Sequence, residues 1–189
     1  MQITFRRALV GAAALLSLVA AQAVEYKQIL SDKSTLGFVY KQMNVPMEGS
    51  FKRFKSQLVF DPAKPAAGSA QFEIDVASID TGSPEGNEEV AGKLWFNTKA
   101  FPTAKFVSSA IKPLGNNRFE VSGKMSIKGR TLDVTTPATY RQDGANGVFE
   151  GTFVLKRADY GIGEGVWADF GTVANEVQIK FRLLAAAGK

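Results

Sequence analysis

The chain has 189 residues, a net charge of +5, and neither Cys nor His. Without Cys there are no disulfides, thiolate nucleophiles or soft metal sites. Without His the Ser-His-Asp triad and most zinc sites are unavailable, so the composition argues against an enzyme and against a bound metal. The charge surplus is small and no run of Lys or Arg stands out, so we expect no nucleic-acid partner.

The first 23 residues have the pattern of a cleaved signal peptide. Arg6 and Arg7 precede an apolar stretch over residues 8–21, which is shorter than the roughly 20 residues of a membrane-spanning helix. Ala21-Gln22-Ala23 then matches the small-x-small cleavage rule. We therefore predict export, with residues 24–189 forming one domain. An uncleaved membrane anchor is the alternative.

Alternation of apolar and polar residues with period two dominates the rest of the chain, which is typical of half-buried β-strands. The alternating segments are residues 36–40, 72–76, 119–127, 132–140, 149–155 and 177–183. Turn-forming dipeptides such as Asn116-Asn117 and Asp143-Gly144 separate them. The pattern predicts an all-β domain.

Residues 87–101 depart from this alternation. Asn87, followed by Glu88 and Glu89, predicts the N-cap and first turn of a short helix. A further helical turn is expected just before Pro102. Because Glu88 and Glu89 are adjacent, they point about 100° apart on a helix and do not form a catalytic pair.

About eight strands with one apolar face each must hide those faces from water, and an antiparallel barrel does so without leaving long edges. A two-sheet sandwich is the alternative fold. The strand face expected to point into the barrel carries Phe119, Val121, Met125 and Ile127, and the side chains expected in water are Lys124 and Lys128. An outer-membrane barrel would reverse this arrangement, but no pair of aromatic girdles is visible.

Four stretches carry a family resemblance through their order and spacing. They are residues 34–62 with Gly49-Ser50-Phe51-Lys52-Arg53-Phe54, residues 76–82, residues 95–106 beginning Trp95-Phe96-Asn97, and residues 121–129, followed later by Arg157-Ala158-Asp159-Tyr160-Gly161. Together they resemble the YceI-like family over essentially the whole chain after residue 23. The resemblance implies a lipocalin-like barrel in the periplasm that binds a polyisoprenoid, such as a quinone tail, or another long-chain amphiphile.

The chain departs from that family at the expected head-group contacts. Family members often carry His at the position of Gln42 and again shortly before the Trp95-Phe96 pair, and this chain has none. A ligand head group would therefore meet amides, hydroxyls or Lys. The resemblance also implies transient contact with the membrane or with a membrane electron-transport protein.

Phased aromatic residues, one Met and one Gln form the candidate binding wall. The predicted ligand-binding residues are Phe38, Tyr40, Gln42, Phe72, Trp95, Phe106, Phe119, Met125 and Phe153. No catalytic residue, metal ligand or cofactor is expected beyond the bound lipid. Two alternatives stay open: a structural barrel whose core these residues simply fill, and a carboxylate-dependent lipid-modifying enzyme with two acids converging on the cavity.

Arg157 follows Phe153 and Leu155 at spacing two, so alternation turns it inward at a strand end. We favour an ion pair with Asp159 or Asp169 over a contact with a ligand head group.

Two short segments near the barrel end have several interpretations. Lys93, Trp95 and Phe96 form either a lid at the barrel mouth or a plug in it. The glycines at 161, 163 and 165 fit neither the Rossmann nor the Walker spacing, so we expect a turn rather than a phosphate loop.

Overall fold

The computed structural model describes residues 24–188, so the predicted signal peptide lies outside the described residues. The strands are β1 (Tyr26–Ile29), β2 (Thr35–Gln42), β3 (Val45–Phe51), β4 (Phe54–Val59), β5 (Ser69–Asp75), β6 (Ile79–Asp80), β7 (Thr103–Gly115), β8 (Arg118–Ile127), β9 (Arg130–Asp143), β10 (Asn146–Lys156) and β11 (Glu176–Ala187). One α-helix, α1 (Pro84–Ala91), lies within residues 24–188. The predicted all-β class is confirmed. The structure has more strands than the eight expected. Strands as short as β1 and β6 were not predicted, because so few residues show no recognisable alternation.

All strand pairs are antiparallel and belong to one curled sheet. The order is β4-β5-β7-β8-β9-β10-β11-β2-β3-β6, with β1 added beside β11. Tight turns join β2 to β3, β7 to β8, β8 to β9 and β9 to β10, and both central residues have positive φ at Asn116-Asn117 and at Lys128-Gly129. Such turns match the right-handed twist of the strands they connect, so the sheet curls as it grows.

Backbone hydrogen bonds through β1 tie the β4 end of the sheet back to β11, which makes a barrel rather than a sandwich. Strand β1 bridges β11 to the chain after β4, where Tyr26 N donates to Phe60 O at 2.8 Å and Phe60 N donates to Tyr26 O at 3.0 Å. Beside the β3–β4 corner, Lys52 N donates to Ser78 O at 3.1 Å, which continues the pairing of β3 with β6.

The pleat directs the apolar side chains inward, as predicted. Phe119, Val121, Met125 and Ile127 of β8 all face the barrel interior. Lys124, on the opposite face, is exposed and pairs with Asp133 at 2.9 Å.

The expectation that Lys128 lies in water is wrong. Its side chain is only 9% exposed, and its Nζ donates to Gly161 O and to Glu164 Oε2. Lys128 is a turn residue with φ of 48°, so strand alternation does not govern its direction. The segment after β10 packs over this turn and captures the ammonium group. The hydrogen bond from Lys128 in turn holds the pKa of Glu164 below its usual value.

Helix α1 begins earlier than the sequence pattern indicated. Ser83 is the N-cap, with Oγ accepting from Gly86 N at 3.0 Å, and Pro84 occupies the first turn. The expected N-cap, Asn87, lies inside the helix instead. Its Oδ1 accepts hydrogen bonds from Thr81 N and Thr81 Oγ1, at 2.7 and 2.9 Å, which fixes the helix against the end of β6.

Aromatic side chains close one end of the barrel. Phe60 packs edge-on against Phe149 and Phe119, with ring centroids 4.9 and 5.3 Å away. Beside them the hydroxyls of Tyr26 and Tyr140 are 3.0 Å apart. Strand β10 runs away from this cluster for roughly 20 Å between Phe149 and Leu155, at about 3.3 Å per residue. The opposite end is the one that α1 covers. No helix within residues 24–188 has the length and apolar character needed to cross a membrane.

Candidate functional site

The barrel encloses a cavity of about 680 Å³. This volume lies within the roughly 300–1,000 Å³ typical of pockets that enclose a small molecule. Side chains from β2, β5, β7, β8, β10 and β11 line it, and most of them are aliphatic or aromatic. The interior is therefore a cavity with an apolar wall and not a core filled by side chains.

All nine residues that the sequence singled out lie on the wall of this one cavity. They are Phe38, Tyr40, Gln42, Phe72, Trp95, Phe106, Phe119, Met125 and Phe153. Four of them, Phe38, Trp95, Phe106 and Phe119, are less than 9% exposed, whereas Gln42 stands exposed at the end of β2. The structure thus places all nine side chains on the same cavity wall, and their contact with a ligand stays a prediction.

Three of the cavity phenylalanines lie over glycines of a neighbouring strand. Phe38 covers Gly49 and Phe181 covers Gly151, each its direct cross-strand partner. Phe106 covers Gly123 of β8, two residues from its own cross-strand partner. Because glycine has no Cβ, each ring can fold against the barrel wall instead of projecting toward the axis. The glycines thus keep the cavity wide.

Gly151→Ala tests this role of glycine in the wall. A Cβ at this position would lie 2.3 Å from Phe181 Cζ and 2.4 Å from Pro137 O. The ring must then swing toward the cavity axis, and we expect a loss of about 1–3 kcal/mol in the free energy of unfolding. Urea denaturation of the variant measures this loss.

Gly37→Ala is the matched control on β2, since the nearest atom to its new Cβ is Gly49 O at 3.4 Å, an ordinary contact. We expect it to unfold at the wild-type urea concentration or slightly above. Equal stability of the two variants would contradict the packing argument.

The cavity opens to solvent between the β2–β3 hairpin and α1. Six wall residues are exposed, and all of them lie there: Gln42, Met47, Gly82, Ser83, Glu85 and Glu89. The polar groups of the wall are concentrated at this mouth. A long apolar molecule inside would have its polar end here.

The segment after α1 covers part of the mouth. Trp95 is 7% exposed and packs against Trp167 with ring centroids 5.4 Å apart, and both rings line the cavity together with Phe96. Trp167 Nε1 donates to Glu89 Oε1 at 2.7 Å, which ties the segment after β10 to α1. Lys93, expected to lie with these aromatics, is exposed and does not line the cavity.

Arg157 is almost completely buried, at 2% exposure, where β10 ends. The expected ion pair with Asp159 or Asp169 is wrong, because neither acid pairs with it. Its five N–H groups donate instead to backbone oxygens of the segment that follows. The acceptors are Ala174 O, Ile162 O, Gly163 O, Trp167 O and Val173 O, at 2.7–3.2 Å.

This segment wraps around the Arg157 guanidinium. The group also lies 5.4 Å from the centroid of the Trp95 ring and 5.2 Å from that of Phe170. Burial lowers its pKa. The glycines at 161, 163 and 165 all have positive φ, so the predicted turn is confirmed. Arg157 therefore organises the loop beside the mouth and has no free donor for a ligand.

Two carboxylates at the mouth were missed by the sequence analysis. Glu85 and Glu89 are four residues apart, so they share one face of α1, and both line the cavity. The spacing was readable, but the helix start had been placed at Asn87. Both groups are exposed at the entrance rather than enclosed in the interior. Among residues 24–188 no cluster of three or more potential metal ligands is found.

A single antiparallel barrel with an apolar cavity and one mouth defines a lipocalin-like architecture. The family model of the YceI-like domain matches residues 28–185. This protein belongs to the YceI-like family.

Similar proteins match this chain over most of its length. The chain is 52% identical to BcnA of Burkholderia cenocepacia, whose crystal structure matches with a TM-score of 0.82 over 84% of this chain and 100% of that one. A UPF0312 protein of Pseudomonas putida is 31% identical over 163 residues, which are 79% of this chain and 82% of that protein. A polyisoprenoid-binding domain from Saccharophagus degradans shares the fold, with a TM-score of 0.68 at 19% identity, over 87% of this chain and 99% of that domain.

Proposed function

We propose that this protein is a non-enzymatic carrier that holds a polyisoprenoid, such as a quinone-like molecule, or another long-chain amphiphile in the barrel. The observation that carries the proposal is the apolar cavity of about 680 Å³ with its polar groups gathered at one mouth. Burying about ten carbons of a chain contributes on the order of 8 kcal/mol. Several kcal/mol of this are lost to association. The Saccharophagus relative is itself described as a polyisoprenoid-binding domain.

The charges of the wall favour a ligand without an anionic head group. Among residues 24–188, Arg157 is the one cationic side chain on the cavity wall, and all its donors are held by backbone oxygens. The ionised groups at the mouth are the carboxylates of Glu85 and Glu89. A carboxylate or phosphate head group would lie near these like charges, whereas Lys93, the nearby cation, does not line the cavity. An uncharged head would meet the Gln42 amide and the Ser83 hydroxyl instead.

We place this carrier in the periplasm, following the predicted signal peptide. A partner that delivers or receives the ligand, such as a membrane or a membrane electron-transport protein, is part of the same proposal. A long apolar chain needs such a partner because it has little free concentration in water.

The experiment that tests this function is extraction of the ligand. Protein purified gently from a periplasmic extract is treated with organic solvent, and the extract is analysed by mass spectrometry. We expect one long-chain lipid with an uncharged head group in near-stoichiometric amount, because dissociation exposes the whole chain to water.

Delipidated protein is the control, and it should take up the same lipid again from vesicles. Protein that yields no lipid and takes none up from membranes would contradict the carrier function, and a structural barrel would then be the better description.

A further inference from the structure

Exposed apolar side chains are concentrated around the cavity mouth. We define the mouth rim as Met43, Val45, Met47, Leu94, Val166 and Phe170. Val166 and Met43 are 81% and 75% exposed, more than any other large apolar residue described between residues 24 and 188. Exposed apolar residues that lie together mark an interaction surface more often than single scattered ones do.

The rim is continuous around one side of the opening. Met43, at the tip of the β2–β3 hairpin, donates its backbone N–H to Thr172 O at 2.9 Å, which joins the hairpin to the loop that carries Val166 and Phe170. That loop joins the segment after α1, because Gly163 N and Glu164 N both donate to Leu94 O, at 2.9 and 2.8 Å. Met47 belongs both to the rim and to the cavity wall. The rim therefore continues directly into the apolar interior.

The apolar character of the rim and the charges beside it identify the partner. Glu85, Glu88 and Glu89 on α1 are exposed next to the rim, with Lys93 nearby. An acidic neighbourhood does not attract anionic lipid head groups. Apolar side chains at an exposed edge bury themselves in the boundary between head groups and acyl chains, without needing charge.

We infer that the mouth rim docks on the surface of a lipid bilayer, so that the ligand passes between bilayer and cavity without crossing water. The inference rests on the proposed carrier function and adds the route of the ligand. Docking depends on apolar contact, so it is insensitive to salt and is not strengthened by anionic lipid.

The test separates transfer from affinity. The probe is farnesol carrying a fluorescent NBD group, and the donor is a vesicle of phosphatidylcholine. The rate of probe transfer into excess protein is measured, and the dissociation constant is measured separately without vesicles.

The rim variant is Met43→Asn with Val166→Asn, since neither residue lines the cavity and Asn accepts the φ of 49° at position 43. The control replaces Val107 and Val154 by Asn, because both are exposed on the strands, 46% and 55%, and belong neither to the cavity wall nor to the mouth rim.

We expect transfer into the rim variant to be about tenfold slower, with its dissociation constant within about twofold of the wild type. The control variant should transfer at the wild-type rate, and added phosphatidylglycerol should not accelerate any of the three proteins. If the rim variant binds and transfers like the wild type, the docking surface is wrong while the carrier function stands. If the wild type does not bind the probe at all, both fall.

Discussion

Arg157→Met lowers the free energy of unfolding by about 4 kcal/mol or more, the largest stability effect we expect from a single substitution in this protein. Methionine keeps the unbranched stem as far as the position of Nε but removes all five donors. Five backbone oxygens of the loop beside the mouth then lose their partner, among them Ile162 O, Gly163 O and Val173 O. Removing one member of a buried charged network is strongly destabilising, because the remaining polar groups stay buried without a partner. This loss is larger than the net stability that the intact network contributes over apolar side chains of the same size.

Thermal and urea unfolding followed by circular dichroism measure this effect, and the midpoint temperature should fall by about 8–16 °C. Arg157→Lys is the informative control. Lysine restores the charge and at most three donors, so the stability of this variant should lie between that of the wild type and that of Arg157→Met. A Met variant with wild-type stability would show that water replaces the guanidinium, and that the loop does not depend on Arg157.

The inward face of the barrel could be predicted from the sequence because the side-chain period of a strand is two. Phe38 and Tyr40 are two residues apart, so the pleat directs both side chains to the same side of the sheet. A shift of register by one residue would turn the whole apolar face of the strand toward solvent. The same reasoning placed Met125 and Phe153 on the wall correctly, although they are 28 residues apart and on different strands.

Residues outside the strands were harder to predict, because tertiary contacts determine them. Lys128 was assigned to water by alternation, but it belongs to a turn, and its partner Glu164 is 36 residues away. The acceptors of Arg157 are backbone oxygens, which carry no side-chain signal at all. The sequence shows only that Arg157 is turned inward at a strand end, and the nearby acid Asp159 suggested the wrong partner.

The helix start shows a different kind of error. Ser83 followed by Pro84 is a strong helix-start pattern, since Ser caps the first turn and Pro suits the first helical position. The acidic pair at Glu88 and Glu89 drew the prediction toward Asn87. Starting at Ser83 would have put Glu85 and Glu89 on one face and would have revealed the acidic mouth.

Met125→Trp is expected to remove ligand binding while the barrel stays folded, with affinity reduced by about a hundredfold or more. Met125 lies on the cavity wall in β8, paired across the sheet with Phe106 of β7. The indole has space to enter the cavity, so the usual cost of overpacking, about 1–3 kcal/mol, is largely avoided. It then occupies the volume that a ligand chain needs, and it adds no charge.

Fluorescence titration with an NBD-labelled prenyl alcohol measures the loss of binding, and circular dichroism verifies the fold. Val154→Trp, which introduces the same indole on the outer face of β10, should bind like the wild type because Val154 is 55% exposed and does not line the cavity. Phe119→Asp is the second probe, since a carboxylate there is enclosed without a partner and should weaken both binding and stability. If Met125→Trp binds as well as Val154→Trp, the ligand does not occupy the barrel interior.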